Sequence, residues 1–176
     1  MRAYFAYKAF AWADCFTRLR SGDVTISDSC VVINFPSRKN DQFHKGSQVS
    51  LAALDDSPYC PVVLFRTYFE LMGYASAPGF LNCRILHAAS TLRARPTTLL
   101  SPSAGSVDLT HILHSHGLDG FFTIKSFKVS GVSEGFRNGL PLEDVMLQGG
   151  WRSLETPLHY RQLTGQQAMT VSRAVV

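Results

Sequence analysis

FFTIKSFKVSGVSEGFRNGLPLEDVMLQGGWRSLETPLHYRQL, residues 121–163, decides how this chain is read. Its spacing predicts three helices: 126–138, 141–149 opening on Pro141, and 154–163. Lys125 and Lys128 stand one helical turn apart near the start, Gly149-Gly150 forms a turn ahead of Trp151, and Tyr160 lies in the last helix. No G-x-x-x-x-G-K pattern accompanies the two glycines, so they are not a nucleotide phosphate loop. Taken one at a time, the two lysines read as a solvated helix face and Tyr160 as an amphipathic residue with its ring half covered. Their order and spacing together carry more.

The chain around this stretch has 176 residues, 45% apolar and 17% charged, which suits one hydrophobic core and argues against wholesale disorder. Seventeen basic against thirteen acidic side chains give a net charge of +4, a mild bias toward polyanions that does not settle the matter. Cys15, Cys30, Cys60 and Cys83 form no C-x-x-C pair, so reduced thiols are expected rather than a zinc site or a disulfide framework. His114 and His116 cannot share a helix face, and no metal site or cofactor is expected. No apolar run is long enough to span a bilayer, and Lys8 and Asp14 interrupt any signal-like start. An intracellular location is expected, nuclear in a eukaryote.

Residues 3–19 place Phe5, Ala9, Trp12, Phe16 and Leu19 on one apolar face, predicting a single helix. A core helix so near Met1 suggests that a segment is missing ahead of it. Asp23–Phe35 reads as a hairpin, the polar run 36–48 follows, and VSLAAL supplies a third strand. Pro61 starts a helix ending at Gly73, with Val63, Tyr68 and Leu71 expected inward. Residues 75–106 read as loops with one short helix near 86–92. Ser106 or Asp108 would cap a helix through His116, with Leu109, Ile112 and Leu113 inward and Gly117 as its stop. The fold class expected is mainly α with a small antiparallel β-sheet, an α+β domain over residues 1–176.

Lys125-Ser126-Phe127-Lys128, Gly149-Gly150-Trp151 and Tyr160 fall in the order of H-x-x-R, a G-x-W element and a tyrosine. In this the stretch resembles the C-terminal boxes of the tyrosine recombinase (phage integrase) superfamily, in particular the forms carried by Crypton- and DIRS-type mobile elements. Upstream, strand–SRKNDQFHKG–strand is similar to the family's hairpin that presents a lysine to DNA, which points to Lys39, and CPVVLFRTYFELMG is similar to its C-P-V-x-x-L-x-x-Y helix. The resemblance implies a catalytic-core fold without its N-terminal core-binding domain. It also implies double-stranded DNA as partner, a synaptic tetramer of copies, and site-specific recombination or DNA integration. Tyr160 would form a 3′-phosphotyrosyl link, Lys39 would protonate the departing 5′ oxygen, and Lys125, Lys128 and Trp151 would clamp the phosphate. Arg38, Lys45 and Arg152 would contact the DNA, and Ala168, Met169 and Val171 in the tail would pack on a neighbouring copy.

These residue types suit phosphoryl transfer without metal or nucleotide, because negative charge builds on the phosphoryl oxygens and the leaving alkoxide needs a proton. The chain departs from the pattern at two cations. Trp12, in Phe10-Ala11-Trp12-Ala13-Asp14-Cys15, stands where the family's first arginine is expected, and Lys128 replaces the second, keeping charge but losing the planar fork. Arg18 and Arg20 lie too far along the chain to substitute. Losing one preorganised donor typically costs about 10² to 10³ in rate. Strand cleavage is therefore expected to be impaired, and the alternative is an inactive DNA-binding remnant.

Overall fold

The computed structural model describes residues 2–38, 46–88, 91–99, 101–120, 122–161, 169 and 172–174. Helix α1 (Arg2–Lys8) and helix α2 (Ala13–Thr17) lead into strands β1 (Val24–Ile26), β2 (Cys30–Phe35) and β3 (Ser47–Ala52). Helix α3 (Pro61–Met72), strands β4 (Cys83–Ala88) and β5 (Thr91–Leu99), and helices α4 (Pro102–Ser115), α5 (Ile124–Arg137), α6 (Leu142–Gly149) and α7 (Glu155–His159) complete the order. The chain is helical with a three-stranded antiparallel sheet, β1-β2-β3, as the residue patterns imply, and a separate β4-β5 hairpin that they did not.

In the three-stranded sheet the alternation of side chains does the sorting: Val31, Ile33 and Phe35 of β2 and Val49 and Leu51 of β3 are buried. Against them packs α3, whose Phe65 meets the ring of Phe5 edge-on at 5.0 Å, while Phe5 also touches Phe16 at 5.0 Å. Pro61 opens α3 and left-handed Gly73, at φ +67°, closes it. The buried stripe of α3 runs through Val62, Phe65 and Met72, whereas Val63 and Leu71 are exposed, contrary to expectation. In a helix with apolar residues at most positions, composition does not set which face turns inward; the sheet does.

The single helix expected over 3–19 is two. Phe10 takes φ +49°, a conformation that L side chains rarely adopt, and the chain turns there before α2 begins. Apolar spacing runs straight through the break because both short helices face the same core. Residues 75–82 are loop as expected, whereas the loops and short helix expected beyond them are instead β4, β5 and the start of α4. Pro96 discouraged a strand, yet it falls where the pairing jumps from Arg84↔Arg95 to Cys83↔Leu99, an irregularity that needs no ladder N–H from it. Helix α4 begins at Pro102, ahead of the expected caps Ser106 and Asp108. Its Ile112 is exposed, while Leu109 and Leu113 are partly buried and Gly117 stops it at φ +72°.

Helix α1 lies against α5 closely enough that a Cβ at Gly131 would collide with the Tyr7 main chain. That approach holds the N-terminal helices over the segment carrying Lys128. Gly131→Ala is expected to lower stability by about 1–3 kcal/mol, because backbone cannot yield as a side-chain tip can. A shift in the urea midpoint at unchanged m-value would measure it.

Candidate active site

Thr123 starts α5 with a reciprocal cap: its Oγ1 accepts from Ser126 N at 3.4 Å, and Ser126 Oγ accepts from Thr123 N at 3.1 Å. From that start Ile124, Lys128, Gly131, Val132 and Gly135 line the buried face, at the three- and four-residue steps of one stripe. Lys128 therefore points into the protein and is 0% exposed. Lys125, one position off that stripe, is exposed.

The Lys128 ammonium lies 4.3 Å from the ring centre of Trp12 and 4.2 Å from that of Trp151. A desolvated ammonium on an indole face gains about 2 kcal/mol, against a burial cost of several kcal/mol. Trp12 reaches it from the extended residue ahead of α2. Trp151 reaches it from the turn after α6, where Gly150 at φ +66° donates to Leu147 O and Trp151 N donates to Met146 O. Both glycines of that turn are required, because a Cβ at Gly149 would occupy the Trp151 ring and one at Gly150 would sit 2.7 Å from Arg38 Cδ.

Tyr160 follows α7 and its ring meets Trp151 at 6.0 Å and Trp12 at 6.4 Å between centres. The Ser133 hydroxyl, buried on α5, donates to the Tyr160 carbonyl and ties the end of α7 down. Burial raises the Tyr160 phenol above its ordinary pKa of 10.0, so less phenolate is available at neutral pH. Arg38, after β2, is also buried: its Nη1 donates to Gln148 O at 2.8 Å and its guanidinium lies 4.5 Å from the Phe35 ring centre. Gln148 in turn donates from Nε2 to Lys8 O at 3.0 Å, joining α6 to the end of α1.

Of the residues singled out from sequence, Trp12, Lys128, Trp151 and Tyr160 meet in one cluster, and Arg38 lies against the turn that carries Trp151. Lys39 and Lys45 lie outside the described residues, as do Ala168 and Val171. Lys125, Arg152 and Met169 are exposed. Arg18 is exposed as well, and Arg20, 4.4 Å from the Phe80 ring centre, belongs to another part of the surface. Ser133 and Gln148 carry no sequence signal, since a serine or glutamine within a helix usually faces water; only their contacts single them out. The cluster brings a phenol, an ammonium and a nearby guanidinium together beside two indoles, with Lys128 closed to solvent.

The raised phenol can be checked by ultraviolet titration. Tyr160→Phe is expected to remove a tyrosinate step lying above pH 10. The neutral phenol is favoured in the folded chain, so its stabilising contribution is full below pH 10 and is lost as pH rises through the folded value.

No protein-family model matches the sequence, and no curated protein matches it by sequence. Solved structures do match the fold. XerA recombinase superposes with TM-score 0.68 at 16% identity, over 98% of this chain and 54% of that one. XerH site-specific recombinase, bound to its difH substrate in a pre-cleavage complex, gives 0.66 at 14%, over 97% and 45%. The Tn1549 transposon integrase, in complex with a circular intermediate DNA, gives 0.57 at 6%, over 98% and 57%. The chain thus spans about half the length of the recombinases it matches. Its backbone has the fold of a tyrosine recombinase catalytic domain.

Proposed function

We propose that this domain cleaves and rejoins duplex DNA through a 3′-phosphotyrosyl link on Tyr160, at a rate reduced by changes in its cationic clamp. The observation that carries this reading is the convergence of Trp12, Lys128, Trp151 and Tyr160 on a fold shared with recombinases solved on DNA. In the step itself the phenol gives up its proton to solvent as its oxygen bonds to phosphorus, the bond to the 5′ oxygen breaks, and that oxygen takes up a proton, the part the resemblance assigns to Lys39. Religation reverses each transfer. The electrons balance without a metal or redox partner, so what the protein must provide is positive charge around the phosphoryl oxygens.

That charge is where the chain is weak. Trp12 offers a π face in place of a cation, and Lys128 offers a point charge without a fork. Exposed Lys125 would reach the phosphate, and exposed Arg152, with Lys45 between β2 and β3, would hold the DNA backbone. A mobile-element origin of the Crypton or DIRS type, an assembly of copies at the synapse and residence with chromosomal DNA belong to the same reading. The second reading, binding without chemistry, has its own support in the complete burial of Lys128.

A pool of nicked suicide duplexes with randomised sequence separates the two. A covalent adduct that disappears in Tyr160→Phe is the outcome expected of the first, and adduct persisting in that variant would remove Tyr160 as nucleophile. Trp12→Arg is expected to raise adduct yield roughly 10²-fold, the magnitude of one restored donor. Salt-dependent duplex binding with no adduct from either protein would establish the second reading instead.

A further inference from the structure

Among the residues whose side chains are described, the buried charged ones are Arg38 and Lys128, and no aspartate or glutamate of that set is buried with them. Arg38 is held by design of its surroundings. Phe35 supports the flat of the guanidinium, the Gln148 carbonyl takes Nη1, and Gly150 leaves the space that any Cβ would fill, 2.7 Å from Cδ and 2.9 Å from Nη1. Yet Nε and Nη2 have no hydrogen-bond partner and no contact with solvent. These two atoms form one side of the guanidinium, the edge whose parallel N–H groups match two oxygens of a phosphate or carboxylate. Buried donors are ordinarily satisfied, and a charged pair left idle is destabilising unless something fills it. The other described arginines whose exposure is known, at 18, 20, 66, 137, 152, 161 and 173, lie at the surface.

We propose that the Nε–Nη2 edge of Arg38 receives two non-bridging oxygens of the target phosphodiester, giving the site an interior guanidinium although Trp12 and Lys128 occupy the expected arginine positions. This rests on the DNA reading and deepens it, making Arg38 an oxyanion receptor rather than a surface contact with the duplex. The edge is closed in the free chain, and Arg38 lies against the turn Gly149–Trp151, so entry of the phosphate displaces that turn. Displacement carries Trp151 away from Lys128 and frees the second cation at the same moment.

The test follows the Arg38 Nε–H resonance of the whole chain, identified by its absence in Arg38→Lys, during titration with inorganic phosphate and with a mixed-sequence duplex. Movement of that resonance with the duplex, together with roughly tenfold weaker duplex binding by Arg38→Lys and a salt slope shallower by about one, is the expected result. A duplex that binds both proteins equally, shifting backbone amides but not the Arg38 signal, overturns the inference and leaves the DNA reading in place. If no duplex binds but phosphate moves the signal, the oxyanion receptor stands and the DNA reading falls. A signal that neither probe moves, with no duplex bound, removes both. If the lysine variant does not fold, through-bond correlation from the Arg38 backbone identifies the wild-type signal, and its titration decides the inference.

Discussion

An ammonium placed on the buried stripe of a helix constrains everything near it. Lys128 follows Ile124 and precedes Val132 at four-residue steps, so α5 cannot pack without taking the charge inside. Water is excluded there, and the faces of Trp12 and Trp151 meet the ammonium on two sides. Each indole depends on backbone detail. Trp12 follows the left-handed Phe10, and Trp151 folds back over Gly149 after the left-handed Gly150. Tyr160 then completes the aromatic cluster, anchored through its carbonyl by Ser133.

The result is a site whose cations are indoors. An open clamp would present positive charge to an incoming phosphate, whereas here Lys128 is wholly covered and Arg38 nearly so. Low local dielectric strengthens whatever those charges touch and makes idle donors costly, so the same burial that weakens access would sharpen binding once a phosphate enters. Burial also raises the Tyr160 phenol above its ordinary pKa, leaving less phenolate at neutral pH. The covered cations and the raised phenol are thus two effects of one packing arrangement.

Legibility followed the strength of local signals. The β1-β2-β3 sheet, the start of α3 at Pro61 and the helices of the last third rest on alternation, proline starts and glycine stops, and each is present within a few residues of expectation. The last of these ends early, since α7 stops at His159. The break at Phe10 left no trace, because only a left-handed glycine would have advertised it and a phenylalanine stands there. The β4-β5 hairpin was hidden by Pro96, whose place in an irregular pairing became visible only with a partner strand. Tyr68 of α3 packs on the core as expected, while Val63 and Leu71 face water because apolar residues ring that helix and leave its inward face unmarked.

From the sequence by itself came the order of the residues: a lysine pair opening a helix, a glycine turn before an indole, a tyrosine at the end of the next helix, and a tryptophan where a cation was expected. Those are properties of spacing, and spacing is local. Which lysine of the pair is buried, that two indoles enclose it, and that Arg38 reaches the Gln148 carbonyl were decided by the tertiary structure. Each of these contacts joins elements far apart along the chain, and their positions follow from how α5 joins the cluster of α1 and β2 to the one it forms with α6.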